Sequence, residues 1–388
     1  MTRLSGSGVP SAIGDAGGSA TLRDSGSRAR APVAEGASIP ILAPVEGTSL
    51  GVFLGGTLGK DDRGQPVGCL DILDLDGAEL RRAAIGFLGH GVSIDPSAPS
   101  RAVVFEKRGP GGALVDLQGA VRVTPIPPSA GRHFYGHATY VNDGADLLVV
   151  ENDLASRNGV VTVRDVRTFA VVAEFPSFGQ SPHDCLLLDD GKTLILTNGG
   201  GALESREAPS VVFVDVATQS LKEKVTFGDP KINAGHVAVN GKGDFVVCSA
   251  PRDGLGDDAL GGITLRRGKR KPERMRSPKA VFDALHGESL SACVRGSIAG
   301  VTTPRGNMVT FWDLDRQKLV FRLDVDAPRG LALSWDKRHW VVAHGKMPRV
   351  SLFDAETFEA YAPEVALPAG CFSGSHVFSW PAARAARS

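Results

Sequence analysis

The stretch that decides the fold is GHATYVNDGADLLVVENDLASRNGVVTVRDV, residues 136–166. It opens on a short alternating apolar run, 136–141, the period of a strand with one face buried. Asn142-Asp143-Gly144 then supplies a turn, because these residues tolerate positive φ and bond their own backbone. A second apolar run, Leu147–Val150, follows, and after a polar turn a third, Val160–Val166. A fourth, more polar run closes the unit. Three or four short strands joined by tight turns read as one antiparallel meander.

The same unit recurs from about residue 49 onward. Second strands read AVVF, LLVV, TLILT, FVVCS and WVVAH, and third strands end on Asp165, Asp215, Asp313 and Asp354. An Asp at that place starts a turn by accepting backbone N–H groups two or three residues on. This aspartate is a structural signature of the repeat.

Five of the nine histidines sit at one place in the unit, at the start of its first strand: His90, His137, His183, His236 and His376. Six intervals between positions 90 and 376 give about 48 residues per unit, close to the period of β-propeller blades. Seven such units fill the chain from residue 46 to 388. The expected fold is therefore all-β, a seven-bladed β-propeller. The first unit lacks its own innermost strand, and the C-terminal run SGSHVFSW supplies it. That closes the ring and removes the open sheet edges.

Composition narrows the function classes. Lys+Arg and Asp+Glu both number 43, so no net field draws the protein to nucleic acid or a membrane surface. No apolar stretch is long enough for a membrane span. Gly at 48 residues and Pro at 24 suit a fold with many tight turns. Cys69, Cys185, Cys248, Cys293 and Cys371 are odd in number and form no CxxC pair, which points to buried thiols in a reducing compartment. Residues 1–45, rich in Gly, Ser and Arg and without an apolar block, read as a disordered tail with no secretory signal. The expected location is cytoplasmic. Residues 251–282 read as an insertion carrying RRGKRKPERMRSPK, a solvated basic hairpin or a contact for an anionic protein partner. It lacks interleaved aromatics, so nucleic-acid stacking is not expected.

In a propeller the first strands line the central channel. Aligning them gives one ring: His90, His137, His183, His236, Ser291, Arg329 and His376. A single histidine at a strand start is usually bonded to nearby backbone. Five in one register are different, because protonated rings so close would repel. They must be neutral, hydrogen-bonded or bound to metal. A His-rich set suits Fe(II) or Cu, and Zn, which more often takes thiolate or carboxylate, fits less well. Alternation places Val92, Thr139, Cys185, Ala238, Cys293, Leu331 and Phe378 in the next layer, with the cysteines read as small hydrophobes. The second strands return to the same channel mouth, which nominates Glu106 and Glu151 as ligand-orienting groups or as acid and base, beside His344. Arg329 is nominated to hold an anionic substrate or to pair with one of those glutamates. His286 and His339 read as surface residues.

The segments RHFYGHATY, VVENDLASRNGVVTVRDV, EFPSFGQSPHDCLLLDDGKTLILTNGG and PSVVFVDVAT, between 132 and 218, resemble the bacterial domain of unknown function 1513 family. The resemblance extends over about 86–320. It implies a YVTN-like seven-bladed propeller and a setting near iron-uptake and imelysin-type proteins in the periplasm. His90, His137, His183 and His236 fall on matching positions, and the resemblance implies no catalytic residues. The chain departs from the family in lacking a twin-arginine signal.

Three functions follow as expectations. The first is an Fe- or Cu-dependent redox enzyme acting on a small molecule at the His ring. The second is a non-catalytic iron- or copper-handling or partner-binding propeller. The third is a metal-free hydrolase or lyase that uses the histidines as bases. No nucleophile elbow, Walker loop or dinucleotide fingerprint points elsewhere.

Overall fold

The computed structural model describes residues 34–38 and 49–380, apart from 61–62, 118–120, 257, 362 and 375. The rest of the expected N-terminal tail lies outside the described residues. Within it, Ala34–Ser38 runs antiparallel beside Glu79–Ala84.

The described chain is all-β, built from up-and-down antiparallel sheets. Val52–Lys60, Pro66–Asp74 and Glu79–Ala84 form the first sheet. Phe378–Trp380 adds to its edge, with Val52 opposite Trp380 and Leu54 opposite Phe378. Next comes an eight-stranded sheet. Its first run is Gly89–Ile94, Arg101–Gly109, Gly112–Asp116 and Arg122–Pro125. Its second is Arg132–Val141, Asp146–Asp153, Asn158–Asp165 and Val171–Gln180. The two runs join where Lys107 lies opposite Tyr135. Four sheets of four strands follow, beginning at Pro182–Leu187, Val237–Val239, Ala292–Arg295 and Gly330–Leu333.

The sheets are held together by apolar layers between neighbours, because each sheet is buried on both faces. Phe105 of one run packs with Phe134 and Val149 of the next. Phe311 packs with Trp340 and Val342. The last sheet packs on the first through Val341, Leu352, Phe53 and Leu73. Burying side chains of this size contributes about 1.5–3 kcal/mol each. Val92, Cys185, Ala238 and Leu331 belong to these inter-sheet layers. Burial pushes the Cys185 thiol well up and Cys293 up to about 12, so both stay protonated.

The aspartate signature behaves as its chemistry requires. Asp165 Oδ1 accepts from the Arg167 and Thr168 amides, Asp215 Oδ1 from Thr218, Asp313 Oδ1 from Arg316, and Asp354 Oδ1 from Glu356 and Thr357. Each caps the turn between a third and a fourth strand.

Residues 251–282, read from the sequence as an insertion, supply the third and fourth strands of their sheet, Gly262–Arg266 and Glu273–Arg274, and the short helix Lys279–Asp283. Their basic residues are partly tied down. Arg266 pairs with Glu223, and Arg274 and Arg276 with Asp229. Among the described residues no helix is long and apolar enough to cross a membrane.

Candidate metal centre

All five repeat histidines are buried and cluster together, four of them tightly. They come from five different first strands or the residues just before them. Ring centroids in contact lie between 4.0 Å (His236 to His376) and 6.0 Å (His137 to His183) apart. Glycine makes this approach feasible. Gly136, at φ +103°, has no room for a Cβ against the His90 ring, and a Cβ on Gly91 would strike the Gly136 carbonyl. The Gly-His pairs of the sequence therefore reflect how tightly the inner strands crowd together.

The hydrogen bonds fix which ring nitrogens face inward. His137 Nδ1 lies 3.1 Å from Asp184 Oδ1, so a proton on Nδ1 faces that carboxylate and the lone pair is then on Nε2. The other Asp184 oxygen accepts from the Val237 amide at 3.0 Å. His376 Nδ1 lies 2.7 Å from Ser291 Oγ. The Nε2 atoms of His137 and His376 are buried with no hydrogen-bond partner. His236 Nε2 is crowded from two sides, by His183 Nε2 at 2.9 Å and His90 Nε2 at 3.2 Å. A neutral imidazole has one proton and one lone pair, so one nitrogen cannot make two good contacts of this kind.

A cation shared by His90 and His236 would relieve one of these two contacts. One nitrogen each from His90, His137, His236 and His376 lies within 4.8 Å of every other. Opposed donors on a metal at about 2.1 Å stand about 4.2 Å apart, so small ring movements bring all four onto one ion. His183 stands outside this set and contacts it through His236. Burial first, then neighbouring rings and cations, holds His90, His183, His236 and His376 well below the usual imidazole range, and burial lowers His137. All five are neutral, the form that binds metal.

Two threonines hold the inner strands in place. Thr197 Oγ1 accepts from the Asp184 amide at 2.9 Å and donates to the Gly235 carbonyl, one residue before His236, at 2.6 Å. Thr302 Oγ1 does the same between the Ser291 amide and the Arg329 carbonyl, each at 2.9 Å. Each hydroxyl staples one first strand to the start of the next.

The other nominated residues are distributed as follows. Arg329 stands just before its strand, within electrostatic range of His376. Glu106 accepts from the Gly111 amide at 2.9 Å, across its own hairpin. Glu151 is fully buried inside its sheet, with Oε1 2.6 Å from the Arg164 guanidinium and 3.2 Å from Thr162 Oγ1. His344 Nε2 meets Ser351 Oγ at 2.8 Å, and Glu364 lies 3.6 Å away. His339 is buried rather than on the surface, because it begins a strand and packs on Tyr361 at 4.0 Å.

Two residues the sequence reading passed over belong to the site. Asp184 is the carboxylate beside the His137 ring; its signal was a charge beside His183 in an otherwise apolar strand. Lys107 lies within electrostatic range of His90, His137, His183 and His376. Burial, opposed by Glu288 and aided by Arg108 and Arg329, pushes its ammonium down to about 8.

A family model described as "Protein of unknown function (DUF1513)" matches residues 84–367. The chain belongs to this family. No curated protein matches it in sequence. Among solved structures it is similar to Kuenenia stuttgartiensis hydrazine synthase, at 15% identity and a TM-score of 0.59, over 81% of this chain and 99% of that one. It is also similar to the dihydro-heme d1 dehydrogenase NirN in complex with DHE, at 11% identity and a TM-score of 0.56, over 88% of this chain and 78% of that one. At these identities the likeness concerns the fold, which is propeller-like.

Proposed function

We propose that this family member is a seven-bladed propeller, closed by Phe378–Trp380, whose axial histidines hold one iron or copper ion for redox chemistry on a small molecule. Closure is supported by the pairing of that strand with Val52–Leu54 and by the packing of the last sheet on the first. The observation that carries the metal is the pair of unpartnered Nε2 atoms on His137 and His376, facing the mutual crowding of three more. His90, His137, His236 and His376 would be the ligands, with His183 beside them. Asp184 fixes the His137 tautomer and raises its basicity, as carboxylates do behind metal-bound histidines. Neutral imidazole nitrogens serve Fe and Cu as readily as Zn, and the set lacks the thiolates that structural zinc sites most often use. One of the solved structures similar in fold is named as a dihydro-heme d1 dehydrogenase, which inclines the reading toward iron. When bound, the ion would supply one-electron chemistry. The chain's own contribution is to keep the rings neutral, exclude bulk water and present cations at the mouth.

The near-complete burial of all five rings favours a second reading, in which the propeller holds metal without turnover. The exposed Lys269 and Lys271 would then offer a partner contact. Anaerobic reduction of the reconstituted protein followed by exposure to oxygen separates the two. The enzyme reading expects a reversible change in the visible spectrum within seconds. A metal that stays spectroscopically inert to both treatments contradicts it.

A further inference from the structure

Among the described residues, two of the five clustered rings have a buried Nε2 without a hydrogen-bond partner, those of His137 and His376. The same two have their other nitrogen against a polar side chain. His137 Nδ1 faces the Asp184 carboxylate at 3.1 Å, and His376 Nδ1 faces the Ser291 hydroxyl at 2.7 Å. The Nε2 atoms of His90 and His183 instead both face that of His236. A neutral imidazole carries its proton on one nitrogen only. On His376 Nε2 that proton would be a buried donor with no acceptor, which is costly. On Nδ1 it meets a hydroxyl oxygen that can accept it, and the lone pair then stands on Nε2. Ser291 is itself buried and fixed by its backbone. Its amide donates to Thr302 Oγ1 at 2.9 Å, and its carbonyl accepts from the Thr302 amide at 3.0 Å. It stands one residue before the first strand Ala292–Arg295, as His236 stands one residue before Val237–Val239. At the place where five units carry a histidine, this unit carries a serine that serves one of them.

We infer that Ser291 is the positioning residue for His376, holding that ring in the tautomer whose Nε2 is free to ligate metal, as Asp184 does for His137. The inference rests on the metal reading for the use of that lone pair, but the tautomer is a property of the metal-free chain. A neutral acceptor holds a ring less strongly than a carboxylate does, so losing Ser291 should cost less metal affinity than losing Asp184.

Two measurements on the full chain test it. The first is nitrogen NMR of the metal-free protein carrying isotopically labelled histidine, with the His376 ring assigned by its loss in His376→Ala. The proton should be on Nδ1; a proton on Nε2 overturns the inference whatever the metal does. The second is a Cu(II) titration against a chelator of known affinity. Ser291→Ala should weaken copper binding by about tenfold and alter the copper EPR spectrum. Ser291→Thr, which keeps the hydroxyl, should restore both. In a His376→Ala background, Ser291→Ala should have no further effect, the mark of a residue acting through that ring. Wild-type affinity and spectrum in Ser291→Ala, or an equal further loss in the His376→Ala background, overturns the inference with the metal site standing. A wild-type chain that takes up no copper, with the proton on Nδ1, instead removes the metal reading and keeps Ser291 as the group that sets the tautomer.

Discussion

Seven histidines of this chain are buried, and they fall into two groups. Five stand at the starts of first strands and converge from different sheets. The other two, His339 and His344, belong to one strand of the last sheet and are held by neighbours in their own sheet, Tyr361, Ser351 and Glu364. Burial lowers the pKa in both groups, so burial alone does not separate a candidate ligand from a packed side chain. Nor does an unpartnered nitrogen, since Nδ1 of both His339 and His344 is also buried without a hydrogen bond; convergence does, because only in the first group do nitrogens of different histidines face one another.

The sharpest way to break this comparison is to remove ligands from each group. His137→Ala combined with His236→Ala should abolish stoichiometric metal, measured by plasma mass spectrometry. His339→Ala combined with His344→Ala should leave metal content intact. Equal retention in both double variants would erase the distinction.

A large effect on stability alone is expected from Glu151, which lies outside both groups. Glu151→Gln leaves Arg164 buried without its full partner, and breaking one side of such a pair costs about 3–5 kcal/mol. Denaturant unfolding should show that loss with metal content unchanged. Metal lost at constant stability would restore Glu151 to the site.

Asp184→Asn should weaken metal binding by about 10–100-fold, the usual effect of removing a carboxylate behind a ligand histidine. Competition with a chelator of known affinity gives the number.

The smallest effect concerns pH. Folded-state imidazole pKa values lie below the unfolded value of about 6.5, so the unfolded chain binds more protons in mild acid. Stability of the metal-free protein is therefore full above that value and falls as pH drops through it. Chemical unfolding at pH 7.5 and pH 5.5 should show the decline, and the decline should shrink in the His137→Ala, His236→Ala variant. A flat profile would mean that the rings are not held neutral by the fold.

Much of the architecture was legible in the sequence because its causes are local. Turn aspartates such as Asp165 and Asp215, alternation in 136–141 and the spacing of five histidines each follow from residues close together in the chain. The ring register was legible for the same reason: Ser291 and Arg329 do stand just before their first strands, as the alignment expected. What escaped was lateral. Asp184 serves a histidine 47 positions away because neighbouring first strands sit side by side, and nothing in the local pattern names its partner. The glutamates could be placed at strand ends, but not their partners. Arg164 lies on the adjacent strand of the same sheet and captures Glu151, and the hairpin at Gly111 captures Glu106. The run 251–282 reads as an insertion because its charges mask the strand Gly262–Arg266 and the two-residue strand Glu273–Arg274.

The most direct measurement is the metal stoichiometry of the untagged full chain, by plasma mass spectrometry, as purified and after anaerobic reconstitution with Fe(II), Cu and Zn. The expected result is close to one iron or copper per chain. No bound metal under any of these conditions would contradict the central claim and leave the five histidines as a buried, hydrogen-bonded cluster.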